Sequence, residues 1–316
     1  MAGIPASTDP SSPIAASRFR KGTGIRNISE GVVKWFCFAC ALVSVVTTFG
    51  IVYVLLSQSI PFFRVVSPID FFSGTVWSPT PEPGKFGVLP LIVGTLTITV
   101  GAGIVAVPLG LLSAIFLSEY APRKLRNFLK PTLELLAGIP TVVYGYFGLF
   151  FVTPLLRHFI PEIQSSNALS GAIVVGIMIL PLVSSLCEDA ITAVPLALRE
   201  GAYGLGATKT EVTTKIVVPA ALSGIMASFI LALSRALGET MAVTLAAGSN
   251  PVLTFNPAKA IETMTAYIVA TSKGDAGVGT VRYNSIFAVG VTLFVFTMVM
   301  NLIATRLVKK FRQVYS

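Results

Sequence analysis

The residues Glu200–Pro219, EGAYGLGATKTEVTTKIVVP, break a succession of long apolar runs with a polar stretch. Their local pattern reads as helix, turn, helix. Pro195 can open the first helix, where its missing N–H costs nothing, and Leu198, Ala202 and Leu205 share one face at helical spacing. Gly206 can end it in the left-handed conformation that glycine takes without steric cost. Thr208 and Glu211 then form a capping box for a second helix running towards Pro219. Small residues at Gly201, Ala202 and Ala207 leave room for a partner surface to approach. Two readings stand on these signals: a docking segment, or a solvated loop between membrane helices.

The rest of the chain supplies the context. Of its 316 residues 53% are hydrophobic and 12% charged, with mean hydropathy +0.80, well outside the range of soluble globular domains. Spans of about 20 apolar residues cross a hydrocarbon layer of roughly 30 Å. Six are expected, at 33–56, 88–118, 132–156, 170–187, 218–248 and 284–305. The fold class is therefore all-α, a polytopic membrane protein with six transmembrane helices. Pro108 predicts a kink or break in the second span.

Most of the 23 Lys and Arg fall in alternate connections: Arg18 to Lys34, Arg123 to Lys130, Arg199 to Lys215, and Arg306 to Arg312. The positive-inside rule then puts both termini and the 188–217 segment in the cytoplasm. The net charge of +9 follows from this topology and from contact with anionic lipid, without nucleic acid. The expected divisions are a flexible basic tail at 1–32, a first helix and periplasmic loop at 33–87, a core at 88–305 and a cytoplasmic tail at 306–316. The first span reads as uncleaved, because no small-x-small cleavage site follows its apolar run.

Other chemistry is sparse. Cys37 and Cys40 form C-x-x-C inside an apolar span with no second pair or ligand histidine, which argues against a redox or metal role. His158, the single histidine, sits beside Arg157 in a short loop with no nucleophile near it in sequence. No G-x-x-x-x-G-K-[ST] is present, so the chain does not cradle ATP phosphates itself. The expectation is a chain that is not an enzyme and has no cofactor or metal of its own.

Glu200, Gly201 and Ala202, followed at fixed spacing by Gly206, Ile216, Val218 and Pro219, resemble the EAA loop of bacterial ABC-importer permeases. Gly201 stands where that pattern has its first Ala, and Val218 where it has Leu; both changes keep small size or apolarity. The resemblance implies the type I permease fold, with a cytoplasmic coupling helix seated on a separate ATPase that binds ATP and Mg. It implies that Glu200 anchors the loop, that Ala202 permits close docking and that Gly206 sets the bend.

Arg235 and Glu239, in SRALGETMAV, lie four apart in an apolar span and can share a helix face. A charge in mid-span costs about 2.5–3.5 kcal/mol on insertion scales and usually faces a pathway or bundle interior. Counting about 1.5 Å per residue from Pro219 puts Arg235 some 24 Å along, nearer the outer mouth. Its planar fork suits phosphate or sulfate; the other reading is an internal ion pair that orients helices. Gly138, Pro140, Gly145 and Gly148 mark the third span as easily bent.

FGVLPLIVGTL at 86–96, LLAGIPTVVYGYFGL at 135–149 and SRALGETMAV at 234–243 resemble the phosphate-specific (Pst) importer permeases, PstC type, in the bacterial inner membrane. That resemblance implies import of inorganic phosphate. The implied partners are a PstA-type permease, a PstB-type ATPase dimer and a PstS-type phosphate-binding protein docking on 59–87 and 249–283. The alternatives are a permease for another oxyanion, sulfate or molybdate, or an ion-coupled secondary carrier. No internal repeat of the kind such carriers show is visible.

Overall fold

The computed structural model describes residues 23–80, 84–274 and 276–311. The chain divides into a unit ending at Val54 and a unit from Leu55 onward. The described part of the first unit is helix α1 (Thr23–Val65), which continues into the second. It begins at Thr23, ahead of the boundary expected at 33; the rest of the expected tail, 1–22, lies outside the described residues, as do 312–316. Trp35, Phe36, Phe38, Phe49 and Tyr53 are all exposed on α1. An apolar helix bare on every side suits an apolar surround. Cys37 and Cys40 are exposed and unbridged on the same surface.

The second unit opens with α2 (Pro68–Ser73) and a short antiparallel ribbon, β1 (Trp77–Ser78) against β2 (Lys85–Phe86), with Trp77 opposite Phe86. Then come α3 (Leu89–Ile115), α4 (Arg123–Ala137), α5 (Thr141–Phe147), α6 (Thr153–Phe159), α7 (Ala168–Thr192), α8 (Leu196–Gly204) and α9 (Lys209–Glu211). The chain closes with α10 (Val218–Leu237), α11 (Met241–Ala246), α12 (Met264–Lys273) and α13 (Val281–Phe311). Helical turns of wider π pitch occupy Phe116–Tyr120, Gly148–Val152 and Val212–Val217. Among the described residues, six helices are long and apolar enough to cross a membrane: Glu30–Val65, Leu89–Tyr120, Thr141–Phe159, Ala168–Thr192, Lys209–Leu237 and Val281–Arg306.

Two expected spans are cut by their own residues. The third, read at 132–156, splits into α4 and α5 at Gly138–Pro140, because proline drives the residue before it out of the helical region. The fifth, read at 218–248, ends at Leu237 with Gly238 as its cap. Of the two expectations at Pro108, a break is absent: α3 runs through it. Neighbouring helices support a membrane helix across the hydrogen bond that proline removes.

That support comes from close packing of α3 on α7. A Cβ at Gly110 would lie 2.6 Å from Val183, and one at Gly176 2.8 Å from Val105. Small residues let two backbones approach where no hydrophobic effect drives them together. Gly110→Val should therefore destabilise the permease by about 1–3 kcal/mol. Lowered thermal stability of the detergent-purified chain would show this, and an unchanged melting temperature would refute it.

A second core gathers Phe62, Phe71, Trp77, Val88, Leu91, Met264 and Tyr267. Its rings meet edge to face, Trp77 to Tyr267 at 4.8 Å and Trp77 to Phe86 at 5.8 Å. The aromatic residues of the 59–87 segment are thus largely core, with Phe72 exposed. Likewise 261–267 is buried throughout, whereas most of 249–259, 272–274 and 277–280 is exposed, Val252, Phe255 and Val278 among them.

Candidate functional site

In the EAA-like segment, Pro195 caps α8 and Gly206 follows its end at φ +85°, as its residue type requires. Ala207 N–H closes the turn onto the carbonyl of Ala202 at 3.1 Å. Ala202 is buried and Leu198 packs beside it, but Leu205 is 91% exposed. Leu205 is the cap residue beyond the last helical position, so it turns off the face that Leu198 and Ala202 share. Nothing lies within 4 Å of a Cβ built on Gly201 or Gly206.

The capping box is formed on both sides. Glu211 N–H donates to Thr208 Oγ1 at 3.4 Å, and Thr208 N–H to Glu211 Oε2 at 3.1 Å. The second helix does not stop near Pro219. After α9 it widens into the π turn, where Val218 N–H bonds Thr213 O, and continues as α10. Pro219 falls in the first turn of α10, where a missing N–H is tolerated. Leu205, Gly206, Ala207, Glu211, Lys215 and Ile216 line a groove of about 340 Å³. The structure thus brings Gly206 and Ile216 to one surface.

Glu200 is exposed and has no hydrogen bond or ion pair among the described residues. The anchor within this chain is its neighbour. Arg199 pairs with Glu119 at 3.2 Å, with both side chains largely covered, and donates to the carbonyl of Ile191 at 2.8 Å. These contacts tie α8 to the π turn that ends the second span and to the end of α7. Beside them Glu188, 1% exposed, accepts from Arg126, from Lys130 at 2.6 Å and from Thr192 at 3.2 Å. Lys130 also reaches Asp189 at 2.9 Å. Hydrogen bonding to Glu188, then to Asp189, raises the Lys130 ammonium above its ordinary pKa.

Sequence reasoning used Arg126, Lys130 and Arg199 only as topology markers. A legible signal was present: Glu188 and Asp189 are carboxylates at the end of an apolar span, and a buried carboxylate needs cations. Which of the cations answers depends on how α4 folds back along α7.

The Arg235–Glu239 pair departs from the helical expectation. Arg235 is in the last turn of α10, and Gly238 ends that helix. Glu239 belongs to the following turn, where its Oε1 accepts from Ala242 N–H at 3.3 Å at the start of α11. No ion pair joins the two residues among the described ones. Arg235 is exposed, not buried in its helix, and has no carboxylate partner among the described residues. Glycine's low helix propensity lets the break fall between the two charges.

Depth also changes. Ser234 Oγ donates to Asn301 Oδ1 at 2.6 Å, and the five residues from Asn301 to Arg306 span about 7.5 Å. On the other side, Thr265 Oγ1 donates to Glu239 O at 2.8 Å, and Met264 N–H to Thr95 Oγ1 at 3.1 Å. Thr95 lies about 9 Å along α3 from Leu89. Arg235 therefore lies between the level of Asn301 on α13 and that of Thr95 on α3.

Residues 106–313 match the model of the family described as binding-protein-dependent transport system inner membrane component. The chain is 37% identical to the probable ABC transporter permease protein YqgH of Bacillus subtilis, covering 85% of this chain and 88% of that one. It is 39% identical to the phosphate transport system permease protein PstC of Mesorhizobium japonicum, covering 74% and 76% respectively. It is 33% identical to the probable PstC of Methanocaldococcus jannaschii, covering 78% and 83%.

In fold it resembles a chain of the bacterial alginate ABC transporter in complex with its alginate-bound periplasmic protein. The TM-score is 0.62 at 17% identity, over 91% of this chain and 99% of that one. A chain of the inward-facing MetNI methionine ABC transporter aligns with TM-score 0.58 at 18% identity, over 74% and 100%. With its six apolar spans and its exposed helix–turn–helix segment, the chain belongs to the binding-protein-dependent ABC-importer permeases, the inner membrane components of such transport systems.

Proposed function

We propose that this permease carries inorganic phosphate, delivered by a PstS-type binding protein, across the bacterial inner membrane with both termini in the cytoplasm. A PstA-type permease completes the pathway, and a PstB-type ATPase dimer binds ATP and Mg and hydrolyses the nucleotide. The observation that carries the anion reading is Arg235: a guanidinium within the apolar span Lys209–Leu237, exposed and without an ion pair among the described residues. An unpaired cation within apolar spans calls for an anion or a water-filled path. The PstC names of relatives 33–39% identical support phosphate over sulfate or molybdate.

The test is uptake by the reconstituted complex, with and without ATP, of labelled phosphate against labelled sulfate. ATP-dependent phosphate uptake that excess sulfate does not compete is the expected result. Sulfate uptake in its place, or uptake driven by an ion gradient without ATP, would overturn the reading.

The docking reading rests on the free surface of Glu200, Leu205 and the groove beside them. Glu200→Lys reverses a charge that no hydrogen bond or ion pair among the described residues uses, so folding should stay within about 0.5 kcal/mol. ATP-driven uptake should fall at least tenfold. Undiminished uptake with normal co-purification of the ATPase would count against a docking role.

A further inference from the structure

We propose that Asn301, on the last membrane helix, is a second anion-positioning residue of the transport path, its amide N–H₂ donating to the oxyanion that Arg235 attracts. The proposal rests on Arg235 being a path residue.

Asn301 lies on α13 within the Val281–Arg306 span and is exposed. Its Oδ1 accepts from Ser234 at 2.6 Å, which satisfies the oxygen and leaves the two amide hydrogens facing outward. No acceptor for them is present among the described residues. The neighbouring hydroxyls on the same face are self-contained: Thr297 bonds the carbonyl of Phe294 at 3.0 Å, and Thr305 that of Asn301 at 2.8 Å. Threonine bonded in this way tolerates lipid, but a primary amide with two free donors does not, because hydrocarbon offers no acceptor.

Asn301 lines a recess of about 330 Å³ with Phe294, Thr297, Met298, Leu302 and Thr305, all on α13, next to the turn of α10 that holds Ser234. Ser234 precedes Arg235 on α10, so its bond brings Asn301 to the turn of α10 that carries Arg235. A guanidinium and an amide N–H₂ are both pure donors. No carboxylate pairs with either among the described residues, so together they suit an anion rich in acceptor oxygens and offer nothing to a cation. Arg235 supplies charge; Asn301 supplies a neutral donor that holds the anion without trapping it.

The experiment uses the complete complex in proteoliposomes, with phosphate-loaded binding protein outside and ATP inside. Asn301→Leu should lower phosphate carried per ATP hydrolysed about tenfold, while ATP hydrolysis stimulated by the loaded binding protein stays within twofold. Asn301→Asp, which replaces the donor with a negative charge, should lose at least as much, and Asn301→Gln should recover much of the uptake. In a Cys37→Ser, Cys40→Ser background, Asn301→Cys should react with a membrane-impermeant anionic thiosulfonate, and phosphate should slow that reaction during turnover.

Full uptake by Asn301→Leu would overturn the proposal. An unreactive Asn301→Cys would place the residue against lipid, and disulfide trapping to the partner permease with phosphate-insensitive labelling would place it at a subunit contact; either result overturns it. Running every arm with sulfate as well separates the two claims. If sulfate is the anion carried, the phosphate reading fails, and the Asn301 variants, read on sulfate, still decide this one.

Discussion

Arg235→Gln should reduce ATP-driven phosphate uptake by about 10- to 150-fold, the loss expected when a charge-assisted hydrogen bond of roughly 1.5–3 kcal/mol is replaced by a neutral one. The folded chain should hardly notice. Arg235 is exposed, pairs with no carboxylate among the described residues and lies in the last turn before Gly238, so its removal orphans no buried partner. Co-purification of the complex and its melting temperature should match the wild type. Arg235→Lys is the informative companion: it keeps the charge but loses the planar fork, so uptake should recover only in part. Full activity of Arg235→Gln would show that the guanidinium does not face the path. Failure of the complex to assemble would move Arg235 to a subunit contact.

Leu205→Asp should detach the ATPase. Leu205 is 91% exposed, at the edge of the groove that Gly206, Ala207 and Ile216 help line. A bare leucine contributes nothing to the isolated permease, whereas burying it against a partner is worth about 1.5–3 kcal/mol. Aspartate both forfeits that burial and imposes the cost of desolvating a charge. The expected outcome is at least a 100-fold weaker association with the ATPase subunit and loss of ATP-driven uptake, with thermal stability of the permease unchanged. A stable complex with normal uptake would move the contact elsewhere. Arg199→Ala is a useful contrast, since it leaves Glu119 covered and unpaired and should loosen the loop from within, lowering the stability of the permease itself.

Local chemistry is what the chain made readable. Pro195, Gly206 and the Thr208–Glu211 box fix their own backbone, because each acts through its own φ, its missing N–H or a hydrogen bond three residues away. Six apolar runs announce six spans, because span length is set by the thickness of the hydrocarbon layer. The same locality explains where the reading failed. Pro108 looked like a break and is not one, since Gly110 lies against Val183 and α7 supports α3 past the proline. Arg235 and Glu239 looked like one helical pair, yet Gly238 separates them and Glu239 turns to the start of α11.

The sequence by itself determined the class of molecule, the number of its spans and the helix–turn–helix that marks it as a permease, since periodicity, hydropathy and caps are properties of neighbours along the chain. Tertiary structure alone decided which charges are covered and which are free. Glu188 is enclosed by Arg126 and Lys130, and Glu119 is held by Arg199, across separations in sequence that no local pattern encodes. Arg235 and Asn301 are both left exposed, and the bond between Ser234 and Asn301 joins α13 to the turn of α10 that carries Arg235. A charge inside a membrane protein takes its meaning from what lies beside it, and that is settled by the packing of helices far apart in the chain.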